Sequence, residues 1–134
     1  MSTAQKTSIG LGIVYLAVGI LGFIPALVAP STQPGQGLLL GIFAVNTIHN
    51  IVHLVAGAVL IWAGTSAGLV GTIGKALAVV FALLVVVSFL APIAEGVAIN
   101  LPDTLLHLVS ALATGYVGFF AARGVSTGRP EPAH

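Results

Sequence analysis

The sequence predicts an all-α integral membrane protein, an up-down bundle of four transmembrane helices built from a duplicated two-helix hairpin. Three observations carry that expectation. The chain of 134 residues is 57% hydrophobic and only 5% charged, against roughly 25% charged in an ordinary soluble domain. Four apolar stretches run at about 8–29, 38–63, 71–93 and 101–122, each reaching or nearly reaching the ~20 residues that cross a ~30 Å hydrocarbon core. A pattern of Asn, His and Asp then recurs in the second and fourth stretches, where polar groups are costly. Residues 1–125 are expected to form one membrane domain and 126–134 a disordered cytoplasmic tail.

The first stretch follows Lys6 and ends "ALVAPS", which imitates a secretory signal. Its apolar run is too long for a signal h-region, and Pro30 stands just past the cleavage position, so it reads as a retained span. "PSTQPGQG" (30–37) breaks the chain before the second stretch. Within that stretch Asn46 reads as an N-cap, its side chain accepting from an early backbone N–H, so the helix proper begins near Thr47. "GLLLGIFAV" ahead of it is then an apolar extracytoplasmic segment folded over the bundle mouth. "GTSAGLVGTIGK" (64–75) separates spans two and three, and "APIAEGVAINLPD" (91–103) separates three and four. Asn100 is the second expected cap, with Pro102 and Asp103 in the first turn, where a missing N–H costs little and a carboxylate favours the helix dipole.

"AVNTIHNIVHLV" (44–55) aligns with "AINLPDTLLHLV" (98–109) at a constant offset of 54, pairing Ala, Asn, His, Leu and Val. Spans one and three agree more weakly: "VYLAVGILGFI" (14–24) over "VFALLVVVSFL" (80–90) pairs Tyr15 with Phe81, Gly22 with Ser88 and Phe23 with Phe89. Two copies of a hairpin entering the membrane from one side are related by a pseudo-two-fold axis along its normal. Lys6, Lys75, Arg123 and Arg129 all fall on the same side of four spans, while Glu95 and Asp103 fall on the other. The positive-inside rule then places both termini in the cytoplasm of a cell whose inner (plasma) membrane holds the chain.

The elements N-x-x-H-N-x-V-H-L, from Asn46 to Leu54, and N-x-x-D-x-x-L-H-L, from Asn100 to Leu108, together with "YLAVGILGF" in span one, resemble an uncharacterised family of small four-helix bacterial membrane proteins, a domain of unknown function. The resemblance covers nearly the whole chain and implies a four-span fold with no established activity. Span three departs from it, lacking glycines where span one has them.

The absence of cysteine excludes disulfides, thiolate metal sites, iron–sulfur clusters and cysteine nucleophiles. A net charge of +1 without a basic patch excludes nucleic acid as a partner. What remains is the polar cluster. His49 and His53, and Asp103 and His107, are each spaced i,i+4 and so share a helical face. His53 and His107 lie seven residues past their caps, about 10 Å into the membrane at 1.5 Å per residue. Two uses follow. As a hydrogen-bonded network, with Asn50 at its margin, the cluster fixes helix register in a structural or accessory membrane component. As a ligand set, His49, His53, Asp103 and His107 suit a transition metal, or His53 and His107 alone the axial positions of a haem or a pigment-like macrocycle. A third use is proton relay in a small transporter. Structural or accessory use leads, which makes the chain a non-enzyme held in the lipid bilayer, as a homo-oligomer or as a subunit of a larger membrane complex. Ser88 or Ser110 with His107 and Asp103 lacks the nucleophile-elbow context of a hydrolase. Tyr15 and Tyr116 read as packing or interface residues, and Trp62 as part of an aromatic belt.

Overall fold

Four helices organise the chain: α1 (Thr3–Leu21), α2 (Thr47–Gly64), α3 (Val70–Phe89) and α4 (Leu101–Tyr116). The structure is a computed structural model and describes residues 1–90 and 97–122. Glu95, Arg123, Arg129 and His134, residues 91–96 of "APIAEGVAINLPD" and the expected tail lie outside the described residues. Each helix, α4 taken together with its continuation to Ala121, is long and apolar enough to cross a membrane.

Local chemistry sets the helix ends. Helix α1 begins five residues before the expected 8, because Ser2 and Gln5 form a capping box: the Ser2 hydroxyl accepts from Gln5 N–H (3.2 Å) and the Gln5 side-chain Oε1 from Ser2 N–H (2.9 Å). It also stops eight residues before the expected 29, at the cap residue Gly22, and Pro25, which has no N–H to give a helix, opens a short 3-10 turn, Pro25–Leu27. The apolar run continues past it as strand β1 (Val28–Pro30).

The stretch 38–63 divides in the same way. Its first part is not helical but supplies β2 (Gly37–Leu39) and β3 (Phe43–Val45), which with β1 make an antiparallel sheet in the order β1-β2-β3. Val28 pairs with Leu39, and Gly37 with Val45. The turn joining β2 to β3 holds Leu40 and Gly41 at positive φ, 54° and 72°, as tight hairpins with right-handed twist demand. Helix α2 then starts at Thr47 behind the Asn46 cap. Past Tyr116, α4 widens into a π turn, Val117–Ala121, in which Ala122 N–H reaches the Val117 carbonyl.

The helices associate in two close pairs. Gly12 lies against Gly57 and Ile61, Gly19 against Asn50 and Leu54, and Gly64 against Gln5 and Ile9, so α1 and α2 run antiparallel at backbone contact. Gly74 and Gly118 do the same for α3 and α4, with Gly71 beside Ala122 and Gly115 beside Ala78. Small residues at such crossings are what holds helices together in lipid, where apolar burial alone gives no advantage. Tyr15, Ala56, Leu60 and Phe81 form the core between the pairs, and Ala4, Val70 and Val117 a second cluster at the terminal end. Outward faces are apolar: Ile13, Ile20, Val79, Leu83, Val86, Leu105 and Leu112 are all exposed. An all-round apolar helix belongs in lipid.

Candidate functional site

Asn46 and Asn100 hold the starts of α2 and α4. Asn46 Oδ1 accepts from His49 N–H at 2.9 Å, and Asn100 Oδ1 from Asp103 N–H at 3.2 Å. Each cap leaves its third helical residue, His49 or Asp103, pointing to the interior one turn above a second histidine. His49, His53 and His107 are 3%, 3% and 4% exposed, and Asp103 1%. Burial this deep makes every hydrogen-bond partner count.

The three imidazoles converge. Ring centroids lie 4.6 Å apart for His49–His53, 6.1 Å for His49–His107 and 6.3 Å for His53–His107. One ring nitrogen from each falls within 4.8 Å of the others. His49 Nδ1 donates to the Ala98 carbonyl at 2.6 Å, which leaves Nε2 as the nitrogen with the lone pair; that atom stands 3.1 Å from His53 Nε2. Among the described residues, His53 Nδ1 and His107 Nδ1 are buried without a hydrogen-bond partner, as are Tyr15 Oη and Asn50 Oδ1. Each such group costs about 1–3 kcal/mol of desolvation.

Asp103, the fourth expected donor, is not gathered with them. Its Oδ2 accepts from Ala44 N–H at 2.9 Å and from Asn100 N–H at 3.2 Å, so the carboxylate ties strand β3 to the start of α4. Asn100 Nδ2 adds a bond to the Ile42 carbonyl at 2.8 Å, and the sheet is thereby fastened over this end of the helices. No His49–Asp103 ion pair forms among the described residues; His49 turns to Ala98 instead. Asn50, expected at the margin, is as buried as the histidines at 3%. Its carboxamide fills the space that a Cβ on Gly22 would need.

Two residues extend the site beyond the polar motif. Tyr15 packs on His53 with ring centroids 5.3 Å apart, Phe81 on His107 at 5.9 Å, and the two aromatics meet each other at 5.2 Å. The signal for them was the pairing of Tyr15 with Phe81 in spans one and three. A cavity of about 60 Å³ opens among His49, Val52, His53, Leu84, Val97 and His107. It is room for an ion and a small ligand. Tyr116 and Trp62 lie away from the centre, 51% and 56% exposed.

Compared with known proteins, the chain matches one family model, a domain of unknown function (DUF4383), over residues 5–120, and it belongs to that family. No curated protein and no solved structure matches it.

Proposed function

Membership in a family without assigned activity leaves the interior to speak for the role, and we propose that the chain is a four-span accessory component of the membrane whose working part is the three-histidine centre. It acts by holding a group or a partner there rather than by catalysis. The helices form an up-down bundle with both termini cytoplasmic, so the sheet closes the extracytoplasmic mouth directly above the histidines.

A duplicated hairpin accounts for how the centre is built. His49 and Asp103 are 54 residues apart, as are Ala44 and Ala98. His49 of the first copy bonds Ala98 of the second, and Asp103 of the second bonds Ala44 of the first. One turn deeper the copies match in a different way, each within itself: Tyr15 packs on His53 in the first and Phe81 on His107 in the second. A pseudo-two-fold axis produces such exchanged contacts in pairs, and chance similarity of apolar helices has no reason to.

The observation that carries the functional reading is the pair of buried, unpartnered Nδ1 atoms on His53 and His107. A network kept for stability closes on itself, because a half-satisfied buried network is worse than an apolar core. Residues that break this rule are expected where function requires them. Replacing both, His53→Leu with His107→Leu, leaves His49 Nδ1 on Ala98 and removes the two unsatisfied nitrogens, at the loss of the single contact between His49 Nε2 and His53 Nε2. The expected outcome is a protein that inserts normally and melts at the same temperature or higher in detergent. A melting temperature lower by more than ~10 °C would instead mark the histidines as the register-fixing network.

A further inference from the structure

We infer that the histidine centre is a metal site, taking one late first-row transition ion, Zn²⁺ or Cu⁺, through a ring nitrogen from each of His49, His53 and His107. This rests on the centre being functional, as argued above, and says what it holds.

The donor geometry is close to what an ion requires. Bonds of about 2.0–2.1 Å to imidazole nitrogens, at tetrahedral or trigonal angles, separate two ligand atoms by about 3.3–3.6 Å. His49 Nε2 and His53 Nε2 stand 3.1 Å apart, and all three donors lie within 4.8 Å of one another, so shifts of a few tenths of an ångström to about 1 Å bring them onto one ion. Without an ion the 3.1 Å contact is an ordinary hydrogen bond, His53 Nε2–H donating to His49 Nε2, and a cation would take that proton's place. The fixed tautomer of His49 presents a lone pair there, and a cation lets His53 present one too.

The surroundings are those of a ligand sphere. Metal-bound imidazoles donate their other N–H to a carbonyl or carboxylate, which fixes ring orientation; among the three rings His49 does this, its Nδ1–H to Ala98, while Nδ1 of His53 and of His107 has no such partner. The 60 Å³ cavity shared by the three rings is lined otherwise by the apolar side chains of Val52, Leu84 and Val97. Three neutral imidazoles bring no charge to the ion, and the Asp103 carboxylate is not gathered with them, its Oδ2 bonded to the Ala44 and Asn100 N–H groups. Burial cost grows with the square of the ion's charge, so a neutral trio in lipid favours Cu⁺, whereas Zn²⁺ must bring a hydroxide or another small anion as fourth ligand. Imidazole nitrogen suits either metal.

The test uses the full-length protein in detergent, stripped with a chelator. Co²⁺ is added as a visible probe of the Zn²⁺ arm, and Cu⁺, held reduced by ascorbate, is offered in competition with bicinchoninate. The inference predicts one equivalent retained per chain after desalting, with tetrahedral Co²⁺ bands or removal of copper from the competitor. Affinity should fall at least 100-fold in His53→Leu/His107→Leu and in the single variant His53→Gln, and stay unchanged in His134→Ala. Retention below a tenth of an equivalent in both arms overturns it, as does equal retention by the double variant. Failure of both metals with a well-folded, undiminished double variant sinks the metal alone and leaves a functional centre standing. Collapse of the double variant's melting temperature sinks the functional reading itself.

Discussion

Asn50 shows how much one buried amide asks of its neighbours. It sits one residue after His49, yet its carboxamide points away from the histidines into a space that exists only because residue 22 is glycine. Gly22→Ala therefore forces a collision with Asn50, and overpacking of this kind costs about 1–3 kcal/mol. Thermal melts should show that loss, and Gly22→Ala combined with Asn50→Ser should recover most of it. A double variant as unstable as the sum of its parts would remove Asn50 from contact with Gly22. Leu40 poses the opposite case: a bulky side chain held at φ 54° and 59% exposed. Leu40→Asn relieves about 1 kcal/mol of left-handed strain and should raise the melting temperature; a fall would show that the turn is not as described. The caps are the most legible residues here. A cap is a local event, a side chain bonding a backbone three positions on, so its whole signature sits in Asn46 to His49 and in Asn100 to Asp103. The place of Asn50 was not legible, because a glycine 28 positions earlier decides it.

At the scale of elements, hydropathy located the four helices but not their ends. "LLLGIF" is as apolar as any helix, and only its fastening to the start of α4 through Ile42 and Ala44 turns it into strand. Three-residue strands leave too few positions for alternation to register. The π turn after Tyr116 left no sequence mark we can name. Asp103 is where this end can be tested. Asp103→Asn keeps an oxygen facing Ala44 and Asn100, whereas Asp103→Ala strands both N–H groups at about 1–3 kcal/mol each. Hydrogen exchange in lipid should show the Ala44 amide protected in the native chain, nearly as protected in Asp103→Asn, and open in Asp103→Ala. Protection that survives in the alanine variant would mean that the sheet is held by something else. On the glycine faces, Gly57→Leu drives a side chain into Leu16 and the Gly12 carbonyl and should separate α1 from α2, seen as lost folded yield. Normal yield would contradict backbone contact between them.

The whole molecule brings together what neither hairpin has alone. Helix α2 supplies His49 and His53, and the second half of the chain His107 and the Ala98 carbonyl, so the centre exists only when the two halves face each other. The repeat made that meeting readable, since equal spacing from two caps puts the histidines at equal depth. The departure of Asp103 was not readable: its partner, Ala44 N–H, belongs to a strand whose existence the sequence conceals. The proposed orientation has its own check in this cysteine-free chain. Gln33→Cys should react with an impermeant maleimide in intact cells, and Ser66→Cys only after permeabilisation; labelling of Ser66→Cys in intact cells would reverse the topology. The central claim, that three imidazoles meet inside the bundle, is tested most directly by solid-state NMR of the histidine-labelled protein in lipid, where only four histidines contribute. The account predicts contacts among the rings of His49, His53 and His107, with His49 carrying its proton on Nδ1. Rings of His53 and His107 in contact with acyl chains, and not with each other, would contradict it.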